Sequence, residues 1–446
     1  MYVVSLWALP LTVLVSVCLS VSNRCLPGDS CFPANIKLIK FMETLDGKLH
    51  FPHTAEYDRL VDRYNRVIVG GSGHTVSVAG YTLGGGHSPM SRMFGLAVDN
   101  LLELQMVTAN GHIVVANDHM TQTSFVNGSV STTDNTDIFW ASRGGGGGTY
   151  GIVTKFTFRL HFAAPQVVQF LCSYPIRRLD GQNIGFAVLR KIFSILTTLP
   201  KEWGGYLLIS GVPDKSGNFG RIMLALNHHG VLNSTSRASL DQMMNFHREW
   251  QSFCFYKNFS SFFQYDKTAQ ETPYFSSYST NTLLQNDSFT NDLITFILHK
   301  METEYSNKSH LGMTGTLLGG RIMTVGAHET SVNPAFRSSS MSLTASTSWT
   351  HSVVDYSSLL VRGNEIGKYL NKFGSGQYVN NAGDDVMNWQ HEFWGSNYMR
   401  LLAIKDKWDP DDFFTCKECV GFENNRRSPY STDGKFHAPL GPIFGK

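Results

Sequence analysis

At 446 residues, with 42% hydrophobic, 12% aromatic and 16% charged residues, the chain has ample apolar material for two or three packed domains. That composition excludes an intrinsically disordered protein. A formal net charge of +2, with no basic patch interleaved with aromatics, excludes nucleic acid as the expected partner.

The first element is an apolar run from Tyr2 to Val21, ending in small residues (Ser20, Ser22) before Arg24. It reads as a secretory signal, residues 1–22, whose cleavage leaves no membrane attachment. The run lacks an amino-terminal positive charge and is just long enough to span a bilayer, so an uncleaved anchor is the alternative. N-x-S/T sequons at Asn127, Asn233, Asn258, Asn286 and Asn307 agree with a secreted or lumenal glycoprotein. Removal of Cys18 with the signal leaves six of seven cysteines, an even number that suits disulfides. Cys25 and Cys31 flank a short turn, and Cys416 and Cys419 form a C-x-x-C. Disulfides are the expectation for both. A structural zinc would want a second ligand pair, and a thioredoxin-like site a βαβ setting.

From Val67 to Leu160, glycine loops at 70–74, 84–87 and 144–148 alternate with strand-like segments. Leu101 to Val115 reads as a hairpin turning at Asn110-Gly111, a type I′ signal. The five glycines Gly144 to Gly148 sit between a hydrophobic segment, 137–143, and an alternating one, 151–160. Glycine allows positive φ and close approach, and successive amides then converge on an anion, so the run reads as a phosphate cradle. It contains G-x-G-x-x-G (Gly146, Gly148, Gly151), which alone would suggest a nicotinamide-dependent dehydrogenase. That fingerprint needs a helix directly afterwards. Phe156, Phe158 and Leu160 at period two predict a strand instead, and no Lys-Ser or Lys-Thr closes a Walker loop.

After Pro165 the texture changes to a second domain of mixed sheet and helix, with a helix over 185–199 and strands near 206–209 and 221–226. A final block, from Gly374 to Glu423, opens with Gly-Gln-Tyr378-Val-Asn380. It continues in a helix-like stretch from Asn388 to Trp408 that stops at Asp409-Pro410.

Thr75 to Ser88 (T-V-S-V-A-G-Y-T-L-G-G-G-H-S), Phe94 to Asn100, Asp137 to Trp140 and Arg143 to Val153 together resemble the berberine-bridge-enzyme-like FAD-linked oxidases of the p-cresol methylhydroxylase or vanillyl-alcohol oxidase superfamily. Asn388-Trp-Gln, Trp394 to Tyr398, Arg400-Leu-Leu and Lys407 to Phe414 resemble its berberine-like terminal segment, and Cys25 to Pro33 its start. The resemblance implies an α+β fold: a split FAD-binding domain of the p-cresol methylhydroxylase type, 34–165, with an inserted α/β substrate domain, 166–373. The berberine-like segment, 374–425, would return to the FAD domain ahead of a tail, 426–446. FAD would extend along Gly80, Gly84, Gly85, Gly86, Gly146, Gly147, Gly148, Gly151 and Val153, with Asp99 and Asn100 near its nucleotide end. Turn formation and capping are the structural alternative for Asp99 and Asn100.

The implied reaction oxidises a C–H bond beside oxygen or nitrogen by hydride transfer to the flavin, with O2 taking the electrons back as hydrogen peroxide. Tyr378, in a Tyr-x-Asn pattern, would be the base if a neighbour lowers its pKa from about 10, and Asn380 would hydrogen-bond nearby. Simple strand anchoring is the alternative for both. Two departures stand out. Gly73 occupies the position of the family's linking cysteine, so no cysteinyl link forms there and FAD is expected to bind non-covalently. Residues 57–66 resemble the segment before the FAD domain's first lobe, while Val67 onward resembles its second, so the domain reads as truncated. His74 superficially imitates the lost histidine loop, and His87 and His112 read as ordinary loop histidines. The expected activity is oxidation of an alcohol-bearing small molecule or sugar. The alternative is a degenerate secreted glycoprotein that keeps the fold for binding alone. Substrate identity and oligomeric state have no readable motif.

Overall fold

Short β-branched and aromatic segments punctuated by glycine and asparagine build two large antiparallel sheets and a two-stranded ribbon among the described residues. The structure, a computed structural model, describes residues 66–73, 76–268, 276–305, 309–349, 356–383 and 386–424, with the backbone of 3–7. Cys25, Cys31, Tyr57, His74 and the tail 426–446 lie outside the described residues, as does all of the segment read as a signal except residues 3–7.

The amino-terminal strands are β1 (Val3–Trp7), β2 (Arg66–Val67), β3 (Leu101–Val107), β4 (Ile113–Asn117), β5 (Thr121–Ser124), β6 (Val130–Thr133), β7 (Ile152–Arg159) and β8 (His161–Phe162). Six form one sheet in the order β1-β7-β3-β4-β5-β6, and β2 pairs with β8. Part of the expected signal is thus an edge strand, with Val3 opposite Arg159 and Trp7 opposite Lys155. The expected hairpin forms between β3 and β4, but its turn is not type I′. Gly111 donates to Thr108 O at 2.9 Å, and in this turn only Gly111 has positive φ, +74°. That is a type I turn followed by a left-handed glycine, which spares Asn110 a strained conformation.

The second domain carries β9 (Val167–Tyr174), β10 (Trp203–Ser210), β11 (Arg221–His229), β12 (Phe253–Phe259), β13 (Ser276–Leu284), β14 (Ser309–Leu317) and β15 (Met341–Trp349). They pair in the order β12-β9-β11-β10-β14-β15-β13. Helices Gly185–Leu196, Asn291–Thr303 and Tyr356–Leu370 cover one face. Val188, Leu189, Ile192, Phe193 and Leu196 recur at helical spacing and are buried against Leu207, Leu224, Leu311 and Leu343. The helix expected over 185–199 ends at Leu196, where Pro200 approaches. Cys172 of β9 is joined to Cys254 of β12 across the sheet.

The carboxy-terminal block folds back onto the first sheet. Phe393, Trp394, Leu401, Ile404 and Val420 share one core with Leu104, Met106, Ile138, Phe139 and Phe156. The helix-like stretch 388–408 is two helices, Trp389–Trp394 and Tyr398–Trp408, broken at Gly395 with φ +53°. The break lets Asn397 Nδ2 donate to Val332 O at 2.8 Å and Trp394 Nε1 to Gly144 O at 2.9 Å. The two domains are clasped by Arg92, 7% exposed, whose guanidinium donates to Trp203 O and Leu199 O at 2.8 Å and to Leu318 O. No helix among the described residues is long and apolar enough to cross a membrane.

Candidate functional site

The glycine loops come together. Gly146 N donates to Leu83 O at 3.0 Å, joining the 144–148 loop to the turn that closes helix Val78–Leu83. The five glycines lead into the strand β7, so the dinucleotide fingerprint has no helix to aim at a phosphate. Many of the loop amides are already committed to protein oxygens: Gly84 N to Gly80 O, Gly85 N to Thr82 O, Gly86 N to the Tyr378 hydroxyl, and Gly145 N to Ala141 O. Gly146 to Gly148 form the part of the run that opens on a groove or solvent. A groove of about 330 Å³ is floored by Gly80 and Gly145 to Gly147, and walled by Val379, Asn380, Phe393, Trp394 and Cys419.

Tyr378 and Asn380 close over the first loop. Tyr378 is held by Asn281, which accepts from its N–H at 2.7 Å and donates to its C=O at 3.0 Å. The phenol, 3% exposed, packs with Phe336, Val332 and Leu318, and its oxygen accepts from Gly86 N at 3.2 Å and Asn380 Nδ2 at 2.9 Å. Burial pushes its pKa up to about 12, the donors from Asn380, Gly86 and the His87 backbone opposing this only in part. No neighbour lowers it below the ordinary tyrosine value, so in this arrangement the phenol keeps its proton at neutral pH. Asn380 also donates to Gly80 O at 3.0 Å, and its amide lies where any Gly84 side chain would begin.

His87 is more than an ordinary loop histidine. Its ring lies 4.4 Å from that of Tyr378, and both ring nitrogens are buried without a hydrogen-bond partner. Burial lowers its pKa to about 4, so the imidazole is neutral. The buried hydroxyls of Thr82 and Ser142 likewise have no partner, and none of these groups is a wall of the groove.

Asp99 and Asn100 do structural work. Asp99 makes a two-pronged ion pair with Arg337, at 2.8 and 2.9 Å, and accepts from Leu96 N. Asn100 donates to Phe94 O and Leu96 O, and its other end meets His161 Nε2 at 2.6 Å. Both act next to the glycine turn, since Ala97 N and Val98 N donate to Gly86 O and Gly85 O. Gly151 packs against Val107 O, and Val153 faces Met106 within the sheet. Neither is a wall of the groove.

The carboxy-terminal strap grips the loop from the other side. Lys405, 1% exposed, donates to Thr149 O at 2.9 Å, to Phe414 O at 2.6 Å and to Asp409 at 2.5 Å. Asp409 in turn accepts from Phe413 N and Phe414 N, which is why Asp-Pro ends this helix. Cys416 and Cys419 are joined as expected. Sequence reasoning missed Lys405. A lysine four residues before an Asp-Pro stop was the available signal.

A second cleft, of about 540 Å³, adjoins the groove and shares Asn380, Ala382 and Gly383 with it. Its walls are hydroxyl-rich: Ser277, Ser279, Thr314, Thr316, Thr344 and Ser346. Strand alternation explains Thr314, Thr316, Thr344 and Ser346, because Leu311, Met313, Leu343 and Ala345 point into the helical core, and pairing of Ser277 with Ser348 and Ser279 with Ser346 puts the β13 serines on the same face. The strict alternation of Met-Ser-Leu-Thr-Ala-Ser in 341–346 was the readable signal for this face. No group of three metal-ligating side chains occurs among the described residues.

Residues 55–117 match a FAD binding domain family, and residues 377–420 match the family described as berberine and berberine like. A FAD-linked oxidoreductase of Arthroderma otae is 31% identical over 392 residues, covering 81% of this chain and 58% of the relative. A VAO-type flavoprotein of Myceliophthora thermophila superimposes with a TM-score of 0.68 at 23% identity, over 82% of this chain and 65% of that one. A glucooligosaccharide oxidase of Acremonium strictum does so with a TM-score of 0.62 at 21% identity, over 81% and 74%. The chain spans about three fifths of the length of the curated relatives it matches. The chain thus carries the FAD-binding and berberine-like segments of the berberine-bridge-enzyme-like family, in that order, on a fold shared with VAO-type flavoproteins.

Proposed function

We propose that this chain is a secreted or lumenal FAD-dependent oxidase of an uncharged, alcohol-bearing small molecule or sugar. The observation that carries the reading is the continuity of the two clefts, glycine floor into hydroxyl-lined wall, through Asn380, Ala382 and Gly383. The donor set fits an extended dinucleotide in part. Gly146 to Gly148 and the wall of Asn380 and Trp394 would hold it. Bound FAD supplies a two-electron acceptor for a C–H bond beside a hydroxyl, with O2 as final acceptor.

The chain's own residues have simpler tasks. Ser277, Ser279, Thr314, Thr316, Thr344 and Ser346 present hydroxyls that donate and accept, matching a polyhydroxylated ligand; among the described residues no charged side chain lines their cleft. Tyr378 would take the substrate proton only once its phenol is ionised, against a pKa near 12 that the Gly86 and Asn380 donors already hold down. The sugar-oxidase neighbour and the fungal FAD-linked relatives support the class, and the sequons support the secretory route.

The buried, protonated Tyr378 favours one other reading, a glycoprotein that binds such a ligand without turnover. Purification with excess FAD separates the two. The oxidase reading expects flavin absorbance that survives gel filtration and peroxide from a panel of sugars and alcohols, lost in Tyr378→Phe. A folded, colourless protein under these conditions refutes it.

A further inference from the structure

The C-x-x-C of the carboxy-terminal block has no part in the proposed oxidation, yet it lies against the loop that floors the groove. Cys416 Sγ and Cys419 Sγ are 3.9 and 4.0 Å from Gly147 O. Both cysteines are half-buried, and Cys419 lines the groove between the glycine floor and Trp394. The strap is tied down on each side of them. Lys405 holds Phe414 O before Cys416, and Glu418 Oε1, from a residue with φ +55°, accepts from Val386 N at 2.9 Å.

The two disulfides among the described residues differ in what keeps them closed. Cys172–Cys254 joins residues 82 apart and Cys172 is 1% exposed, so chain entropy and burial both oppose its opening. Cys416–Cys419 joins residues three apart, where closure restrains little of the unfolded chain, and Cys419 lines an open groove. Short, accessible disulfides of this kind are the ones that exchange with thiols.

We propose that Cys416–Cys419 is a thiol-exchange site for a dithiol reductant entering through the glycine groove, and that its opening releases the strap from Gly147. A thiolate of the dithiol attacks Cys419 Sγ, the bond between the two cysteines breaks, and Cys416 leaves as a thiolate. The reductant's second sulfur then displaces Cys419 and closes the reductant's own disulfide. Two electrons and two protons pass to the protein, and both cysteines end as thiols. The consequence for cofactor rests on the function proposed above: a ligand lying along Gly146 to Gly148 is held better by the closed strap, and by linkage it favours the disulfide.

The test titrates the full chain with reduced and oxidised dithiothreitol, traps thiols with a maleimide and reads each pair by peptide mass, with and without FAD. Amide hydrogen exchange of 144–150 is followed in parallel. The expected result is labelling of Cys416 and Cys419 at ratios that leave Cys172–Cys254 intact, with amide exchange in the loop faster by about tenfold. FAD is expected to shift the labelling midpoint toward stronger reductant. A Cys416→Ser, Cys419→Ser double variant should show the fast loop exchange without reductant. The proposal is overturned if the pair resists labelling until Cys172–Cys254 opens, or if loop exchange is the same in both states. Absence of any FAD binding would refute the oxidase reading, while labelling and loop exchange would still decide the site.

Discussion

Lys405→Met removes the cation at the centre of the strap. Lys405 and Asp409 are 1% and 0% exposed and meet at 2.5 Å, and the same ammonium serves Thr149 O and Phe414 O. Removing one partner of a buried pair leaves the other charge uncompensated, at a cost of about 3–5 kcal/mol. The two carbonyls lose a donor as well, so the upper part of that range applies. Against a net stability of about 5–15 kcal/mol this is a large fraction. Urea unfolding followed by tryptophan fluorescence should show it directly. With a slope of about 3 kcal/mol/M, the midpoint falls by more than ~1 M. Adding Asp409→Asn removes the orphaned charge while keeping an acceptor for Phe413 N and Phe414 N, so the double variant should recover part of the loss. A single variant within about 1 kcal/mol of the parent, or a double variant no better than the single, would refute the strap's dependence on this pair.

Acidification should destabilise the fold through two histidines. Burial lowers His87 and His229 to about 4 from the usual 6.5, so the unfolded chain takes up protons first. Stability is therefore lost as pH falls below 6.5 and levels off near 4, by roughly 2 kcal/mol per histidine at pH 5. His87→Gln and His229→Gln should each flatten the fall in unfolding midpoint between pH 7 and pH 5, and an unchanged slope contradicts the assignment. Arg92→Lys replaces a fork reaching three carbonyls by a single ammonium, at a cost of roughly 3 kcal/mol. Limited proteolysis should then cut between the domains, and cleavage no faster than in the parent argues against the clasp.

The legible parts of this chain were those fixed by local chemistry. Period-two alternation announced the strand after the glycine run and so removed the dinucleotide-helix reading, and Asp409-Pro410 marked a helix end. The hairpin at Asn110-Gly111 was legible but its turn type was not, because a type I turn with a left-handed glycine uses the same residue pair. The Gly395 break was hidden for a different reason. Trp394 and Asn397 bond to Gly144 O and Val332 O, partners distant in sequence, and no local pattern announces them. The same holds for Tyr378. Its residue type suggested a base, whereas its burial against Phe336 and Val332 depends on a third segment of the chain. The hydroxyl face of β14 and β15 was written in their alternation, yet only pairing register brings Thr314 beside Thr344 and Ser279 of β13 beside Ser346.

The glycines divide into those that packing demands and those that it does not. A side chain at Gly84 would collide with the Asn380 amide, at Gly86 with Ala97, at Gly144 with Val332 N, and at Gly145 with Ala141 O. Contacts within the protein account for all four without any ligand. Gly146 and Gly148 have room but need glycine for φ of +94° and +73°. Gly147 has neither constraint: its φ is outside the left-handed region, and the nearest atom to an added Cβ is Leu83 Cδ1 at 3.9 Å. Gly147 lines the groove, so an added methyl there tests whether a ligand approaches its backbone. Gly147→Ala should therefore leave stability within about 0.5 kcal/mol of the parent, or raise it slightly by restricting the unfolded chain. Gly86→Ala should cost about 3 kcal/mol through strain and overlap. If FAD occupies this groove, Gly147→Ala weakens its binding in a flavin-fluorescence titration while the unfolding midpoint holds; equal FAD affinity in parent and variant would place the cofactor elsewhere.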